Sequence, residues 1–162
     1  MKPEQIRPIV ICVFRDGDRL FLAEYYDPSK KETFYRPLGG AIVFGEQSRQ
    51  CIIREIREEM EAEITDLTYI DMIENIFTFD GKPGHEIVLV YEANSVDSHL
   101  YQVESVRCRD NGGEFVAVWK PASEFRAGRA PLYPEGLLDL LDKARERPDC
   151  RYHGPCRSQS LS

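Results

Sequence analysis

The feature that most constrains this chain is a stretch without proline or glycine, residues 47–61, which is rich in strong helix formers. Its apolar residues at helical spacing are Ile52, Ile53, Ile56 and Met60. At about 100° per residue these side chains form one stripe, which predicts an amphipathic helix packed on a sheet. A separate, neighbouring arc of the same helix carries Glu55, Glu58 and Glu59.

Apolar runs on both sides of this helix predict strands. In chain order they cover residues 9–14, 20–23, 67–79, 86–91 and 114–119. Pro134 suits the first position of a closing helix that ends before Pro148. Residues 94–113 show no firm period and are predicted to form a loop that acts as a substrate-side flap. Together these elements predict the α/β (α+β) class, with a mixed β-sheet covered by helices on both faces.

Length and composition indicate one compact domain. A chain of 162 residues can bury a core without disulfides, and 42% hydrophobic with 30% charged residues excludes a disordered protein. We predict a single domain over residues 1–147 and a disordered tail over residues 148–162. No apolar run reaches the length of a membrane span, and the first residues lack the apolar stretch of a secretory signal. The expected location is therefore cytoplasmic.

Charge and cysteine usage narrow the partners. The net charge is −7 and no dense Lys/Arg cluster occurs, which disfavours binding to long nucleic acid. The five cysteines are scattered and odd in number, which is typical of reduced thiols. Cys150, His153 and Cys156 leave a metal site or a small disulfide loop open, although a polar tail without such a role is the simpler interpretation.

The three glutamates of the helix are candidate metal ligands. Their spacing places them on one face, where their carboxylates would repel each other unless a cation lay between them. Mg²⁺ is the natural candidate, because it takes carboxylate oxygens, keeps several waters and bridges to phosphates. The carbonyl of Gly39 could supply another oxygen, and Arg54 could pair with Glu46 or orient Glu55. The alternative is a solvated acidic surface, or one that binds a protein partner.

The glycine pair, the helix and its acids together resemble the signature of the Nudix hydrolases, G-x5-E-x7-R-E-U-x-E-E-x-G-U, where U is aliphatic. The matching positions are Gly40, Glu46, Arg54, Glu55, Ile56, Glu58 and Glu59. Within this box, residues 40–62, Glu61 stands where the family has a glycine that ends the helix in a left-handed turn. Ala62 stands in for the last aliphatic residue. The resemblance implies a Nudix-type α/β/α sandwich.

The resemblance also implies an activity, the hydrolysis by water of the pyrophosphate bond in a nucleoside diphosphate linked to another moiety. Mg²⁺, or Mn²⁺ in its place, would serve as the cofactor. Glu58 and Glu59 are then metal ligands, and Glu55 is a metal ligand or the general base. Arg54 is assigned to the catalytic set because it would hold a glutamate in place. A Nudix-like nucleotide sensor without turnover is the alternative, and a homodimer stays open because dimers are frequent in the family.

Further acids outside the box are candidates for the same site. Glu114 follows two glycines, and the resemblance suggests it as an additional metal ligand. Glu86 follows a glycine turn and competes with Glu114 and Glu55 for the general base; the simpler interpretation is an exposed strand residue. His85 is expected on the surface.

The sequence gives weaker evidence for the residues that recognise the substrate. Arg36 precedes the glycine pair and can grip two phosphate oxygens at once, so it is assigned to substrate binding together with Glu46 and Glu86. Four aromatic residues either stack on a nucleobase or belong to the core, namely Tyr25, Tyr26, Phe34 and Tyr35. No further signature selects a substrate, which stays open.

Overall fold

The structure is a computed structural model that describes residues 4–146. The strands are β1 (Ile6–Val13), β2 (Arg15–Asp16), β3 (Arg19–Asp27), β4 (Glu32–Arg36), β5 (Leu38–Ala41), β6 (Ile64–Phe79), β7 (Lys82–Ser95), β8 (Ser105–Asp110) and β9 (Gly113–Pro121). The helices are α1 (Ser48–Met60), α2 (Ala122–Arg126) and α3 (Leu137–Glu146), with a 3-10 helix at Ser98–Tyr101. The predicted tail, residues 148–162, and its Cys150, His153 and Cys156 lie outside the described residues.

The strands form two sheets. The first has the order β5-β1-β7-β6, in which β1 and β7 are parallel and the other pairs are antiparallel. The second is antiparallel, with the order β2-β3-β9-β8 and with β4 paired to β3. The α/β class and the mixed sheet are therefore confirmed, but the strands are divided between two sheets instead of one.

Strand β1 shows why helices cover both faces. Its apolar run is continuous because both of its faces are buried. Val10 and Cys12 pack in a cluster with Ile52 and Ile56 of α1. The alternate residues Ile9, Ile11 and Val13 pack in a second cluster with residues of α2 and α3, namely Phe125, Leu137 and Leu141. This layering confirms the predicted α/β/α sandwich.

The loop predicted for residues 94–113 is wrong, whereas a substrate-side role for this segment stays a prediction. This stretch contains the 3-10 helix and β8, which pairs with β9 in an antiparallel hairpin. Cys108 is buried in the cluster that α1 also joins, and Val106 packs against it. The long-range pairing with β9 and this burial fix the conformation of the segment.

The closing helix also begins later than predicted. Pro134 precedes the helix, which starts at Leu137, because Gly136 between them has a positive φ of 85° that no helical residue adopts. Within residues 4–146, no helix is both long and apolar enough to cross a lipid bilayer.

Candidate active site

Strand β5 brings the glycine pair against both β1 and the acidic face of α1. Gly40 lies under the carboxylate of Glu55, so that a Cβ at this position would overlap it. A Cβ at Gly39 would overlap the carbonyl oxygen of Val10 on the neighbouring strand. Both positions therefore need glycine because of close approach. The glycine pair seats α1 so that Glu55 lies directly on β5.

Arg54 links the loop before α1 to the acids of the helix. Its Nε donates to Glu46 Oε1 at 2.7 Å and its Nη2 to Glu46 Oε2 at 3.0 Å. Its Nη1 donates to Glu55 Oε1 at 2.9 Å and to Glu58 Oε2 at 3.2 Å. The side-chain hydrogen bonds from Arg54 lower the pKa of Glu46 to about 2, and the N–H of Val43 adds to this effect. Both contacts predicted for Arg54 are present.

Glu46 was assigned to substrate binding, and the structure places it in this network. Its carboxylate accepts two hydrogen bonds from Arg54 and one from the N–H of Val43 at 3.2 Å. Its side chain is 16% exposed. The immediate function of Glu46 in the structure is therefore to hold Arg54, while direct contact with substrate stays a prediction.

Glu59 differs from these acids because it is buried and incompletely paired. It is 7% exposed, and its Oε2 has no hydrogen-bond partner. Burial raises the pKa of Glu59 to about 8, and the nearby charges of Glu55 and Asp110 act in the same direction. Arg36 and a hydrogen bond from the Gly39 backbone lower it only in part. A cation beside Glu59 would remove this penalty on its charged form.

The three helix acids do not share one environment. Glu55 and Glu59 are close enough for their charges to interact, whereas Glu58 is 59% exposed and contacts Arg54. Among the described residues, no group of three or more His, Cys, Asp or Glu side chains forms a metal site. Mg²⁺ commonly binds through one or two carboxylates, waters and substrate phosphates, so the pair Glu55 and Glu59 fits this ion. The unpartnered Oε2 of Glu59 is the donor atom that best supports the fit.

Gly39 was predicted to offer its carbonyl to a metal. In the structure its backbone forms a hydrogen bond with Glu59 that favours the charged carboxylate, which requires the N–H as donor. A role for the carbonyl stays a prediction.

The structure places Glu114 on the outer face of the β8–β9 hairpin. It is exposed and lies opposite Arg109. Because side chains alternate along a strand, Glu114 points away from the face on which Phe115 packs into the core with α1. Its role as a metal ligand stays a prediction.

Asp110 is the acid that this hairpin brings to Glu59, whose pKa it raises. It ends β8, two residues after the buried Cys108, which also lies in the field of Glu59. Asp110 is not among the site residues predicted from the sequence, because its segment is predicted there to be a loop. The available signal was an alternation that runs from Val106 through Cys108 to Asp110.

Glu86 was expected to be exposed, and this expectation is wrong. It is 3% exposed, because β7 is an inner strand of the first sheet. Its nearest cations are Arg36 and Arg7, with N–O distances of 3.9 and 4.0 Å. His85 lies at the surface as expected, with Nε2 at 2.9 Å from Glu74 Oε1.

The four aromatic candidates separate into three environments. Tyr35 is buried and packs edge-on against Phe125, so it belongs to the core. Tyr26 is 56% exposed. Tyr25 and Phe34 are half-buried and stacked with ring centroids 5.7 Å apart. Burial raises the pKa of Tyr25 to about 12, and the negative charges of Glu59 and Asp110 act in the same direction.

Comparison with known proteins identifies the family. A model of the NUDIX domain matches residues 5–140 of the chain. The chain belongs to the Nudix hydrolase family. A solved Nudix hydrolase from Nitrosomonas europaea has the same fold, with a TM-score of 0.62 and 17% identity over 88% of this chain and 90% of that chain.

Curated relatives of this Nudix hydrolase include two bacterial proteins named NAD-capped RNA hydrolase NudC. The one from Pseudomonas aeruginosa is 35% identical over 66 residues, which are 41% of this chain and 23% of that protein. The one from Photobacterium profundum is 25% identical over 135 residues, 83% of this chain and 43% of that protein. The chain thus spans less than half the length of these two relatives.

The Nudix box of this chain ends its helix without the usual glycine. Glu61 itself adopts the left-handed conformation, with φ 52° and ψ 34°, and its N–H donates to the carbonyl of Arg57. A residue with a side chain pays roughly 1 kcal/mol to adopt this conformation. Glutamate in place of the family's glycine therefore weakens the helix end but leaves it at the same position. The acids of the box keep their helical spacing.

Proposed function

We propose that this Nudix hydrolase uses a divalent cation, Mg²⁺ or Mn²⁺, to cleave the pyrophosphate bond of a nucleoside diphosphate linked to another moiety. The observation that carries the proposal is the Glu59 carboxylate, which is buried, has one unpartnered oxygen and lies within the field of Glu55. Perturbed carboxylates of this kind cluster at functional sites.

The residues that would hold the cation are Glu55 and Glu59, with Glu58 at the exposed end of the acidic face. When bound, the cation would neutralise charge on the diphosphate oxygens and lower the pKa of a water molecule. The chain's own contribution is to fix the acids: Gly40 leaves room for the Glu55 carboxylate, and Arg54 donates a hydrogen bond to it.

As an alternative to its role as a cation ligand, Glu55 is the favoured general base among the three candidates, and Glu59 would then hold the cation together with waters and substrate phosphates. It lies on β5 beside Glu59 and its side chain is 15% exposed, so it can reach a water in the site. Glu86 is almost fully buried, and Glu114 points away from the core face of its hairpin. Neither of these two acids has the same access to a water beside Glu59.

A nucleoside diphosphate is anionic and is repelled by a protein whose net charge is −7. Its binding therefore needs a positive charge in the site. Arg36 supplies a local positive charge next to Glu59. The two named relatives act on NAD-capped RNA, and an NAD cap contains a diphosphate that joins two nucleosides. NAD and related dinucleotides therefore belong in any test of this chain.

A substrate panel tests the proposal directly. The purified protein is incubated with Mg²⁺ and with dNTPs, ADP-ribose, NAD, NADH, sugar nucleotides and dinucleoside polyphosphates, and the products are separated by chromatography. Turnover that stops in EDTA and returns with Mg²⁺ or Mn²⁺ is the expected result, and ¹⁸O-labelled water identifies the phosphorus that is attacked. Binding without turnover across the panel would favour the sensor alternative. Neither binding nor turnover would overturn both.

A further inference from the structure

Glu86 is a buried carboxylate that the catalytic acids do not account for. It is 3% exposed and its Oε2 has no hydrogen-bond partner. On the first sheet it lies between Arg7 of β1 and Asn75 of β6, its direct neighbours in the strand register. A buried, unpaired carboxylate is costly, so a fold that retains one must compensate its charge nearby.

Two arginines provide this compensation without touching the carboxylate. Arg36 Nη2 lies 3.9 Å from Glu86 Oε2, and Arg7 Nη1 lies 4.0 Å from Glu86 Oε1. Both distances exceed that of a hydrogen bond. Arg7 is 59% exposed, so water screens its charge, whereas Arg36 is 27% exposed. Arg36 is therefore the principal counter-charge of Glu86.

Arg36 also belongs to the catalytic side of the molecule. It ends β4 of the second sheet, and after Pro37 the chain continues into β5 of the first. Its positive charge partly offsets the rise in the pKa values of Glu59 and Tyr25. Arg36 is thus the nearer counter-charge of Glu86 and also acts electrostatically on Glu59, and each of these two buried acids has one unpartnered oxygen.

We propose that Glu86 is a positioning residue, which holds the Arg36 guanidinium beside the catalytic acids so that Arg36 binds the diphosphate of the substrate. The proposal rests on the proposed function. Glu86 is too buried to reach a substrate itself, so it acts through Arg36. Without the charge of Glu86, Arg36 would be drawn onto Glu59, where it would occupy the site of the cation and lose its own hold on phosphate oxygens.

The test is metal-free binding of ADP, with AMP as the probe that lacks the second phosphate, measured by calorimetry in EDTA. Arg36→Ala is expected to weaken ADP binding about ten- to a hundredfold, as expected for the loss of a charged hydrogen bond. Glu86→Gln is expected to weaken it about three- to tenfold, with little effect on AMP. In the Arg36→Ala background, Glu86→Gln should have no further effect.

Glu92→Gln is the matched control. It makes the same substitution on the same strand and breaks an Arg–Glu pair, since Glu92 Oε2 accepts from Arg15 Nη2 at 3.2 Å. It should leave ADP binding unchanged. Glu86→Asp, which keeps the charge but retracts it, replaces Glu86→Gln if that variant unfolds, and it should weaken ADP binding by a smaller factor.

The outcomes separate this proposal from the proposed function. If Glu86→Gln leaves ADP binding unchanged, or weakens it equally when Arg36 is alanine, Glu86 is not a positioning residue, whatever the substrate panel shows. If the two variants are coupled but no substrate is turned over, the diphosphate site stands and the hydrolase proposal fails. If the wild-type protein does not bind ADP in EDTA, the proposal for Glu86 and Arg36 is wrong, while the hydrolase proposal is decided by the substrate panel with Mg²⁺.

Discussion

Two clusters of charged side chains lie close together on the catalytic side of this molecule and differ in how well they are paired. The Arg54 cluster consists of Glu46, Arg54, Glu55 and Glu58, and the Arg36 cluster consists of Arg36, Glu59 and Glu86. In the first, each acid accepts at least one hydrogen bond from Arg54 at 2.7–3.2 Å. In the second, Glu59 and Glu86 each have a buried oxygen without a partner.

This difference in pairing suggests that one cluster positions the acids of the helix and the other binds ligands. Hydrogen bonds from one guanidinium to three acids restrain their positions, so the Arg54 cluster fixes the acids of the helix, including Glu55 beside Glu59. Unpaired buried carboxylates favour an external cation, so we expect the proposed cation to bind most favourably at the Arg36 cluster, and the diphosphate to bind there through the cation and Arg36.

The largest effect is expected for Glu59→Gln. The change removes the unpartnered carboxylate and should lower turnover about 10²- to 10³-fold, the usual loss when one group that stabilises charge in the transition state is removed. Metal-free stability should not fall, because a buried unpaired charge has been removed. Steady-state kinetics and urea unfolding measure the two effects. Glu63→Gln, at an exposed position that pairs with Arg57, is the control and should retain turnover within about twofold.

A smaller loss is expected when the support is disturbed. In Gly40→Ala the new methyl group overlaps the Glu55 carboxylate, which must then leave its place on β5. Turnover should fall about 10- to 100-fold, as for other changes that misplace a metal ligand. Gly81→Ala is the control, since it strains a positive φ of 72° in open space and should cost about 1 kcal/mol of stability without loss of turnover. Normal activity in Gly40→Ala would contradict the placement of Glu55.

The two clusters should give stability opposite dependences on pH. The pKa of Glu46 is lowered from 4.5 to about 2, so its contribution is present above pH 4.5 and is lost as pH falls towards 2. The pKa of Glu59 is raised from 4.5 to about 8, so its contribution is present below pH 4.5 and is lost as pH rises towards 8. Urea unfolding in EDTA across this range measures both.

Single variants separate the two declines in the free energy of unfolding, one in acid and one towards alkaline pH. Glu59→Gln should flatten the decline between pH 4.5 and 8, and Glu46→Gln should reduce the decline in acid. Added Mg²⁺ should restore stability at pH 8 in the wild type but not in Glu59→Gln, because the ion favours the charged carboxylate. An alkaline limb that is unchanged in Glu59→Gln would show that another group is responsible.

The smallest effect concerns the end of the box helix, where neither cluster is touched. Glu61→Gly should raise the free energy of unfolding by about 1 kcal/mol, because glycine adopts the left-handed conformation without strain. Turnover should not change. A loss of stability would mean that the Glu61 side chain makes a favourable contact that outweighs its backbone strain.

Much of the fold was predictable because its signals are local. The helical period of residues 47–61 and the continuous apolar run of β1 were recognised correctly, since each depends on neighbours in sequence. Strand β8 was not, because its pairing with β9 and its burial under α1 decide its conformation. Asp110 was not predicted for the same reason. The closing helix begins three residues after the predicted Pro134, because Gly136 takes a positive φ.

The candidate site divides in the same way. The positions of the box, the helical face that its acids share and the membership of the Nudix family follow from the order of residues along the chain, because helical spacing and motif spacing are properties of the sequence. Which carboxylates are buried, paired or left without a partner depends on how the two sheets and α1 pack together. The tertiary structure alone therefore separates Glu46 from Glu59, and moves Glu86 from the surface to a place beside Arg36.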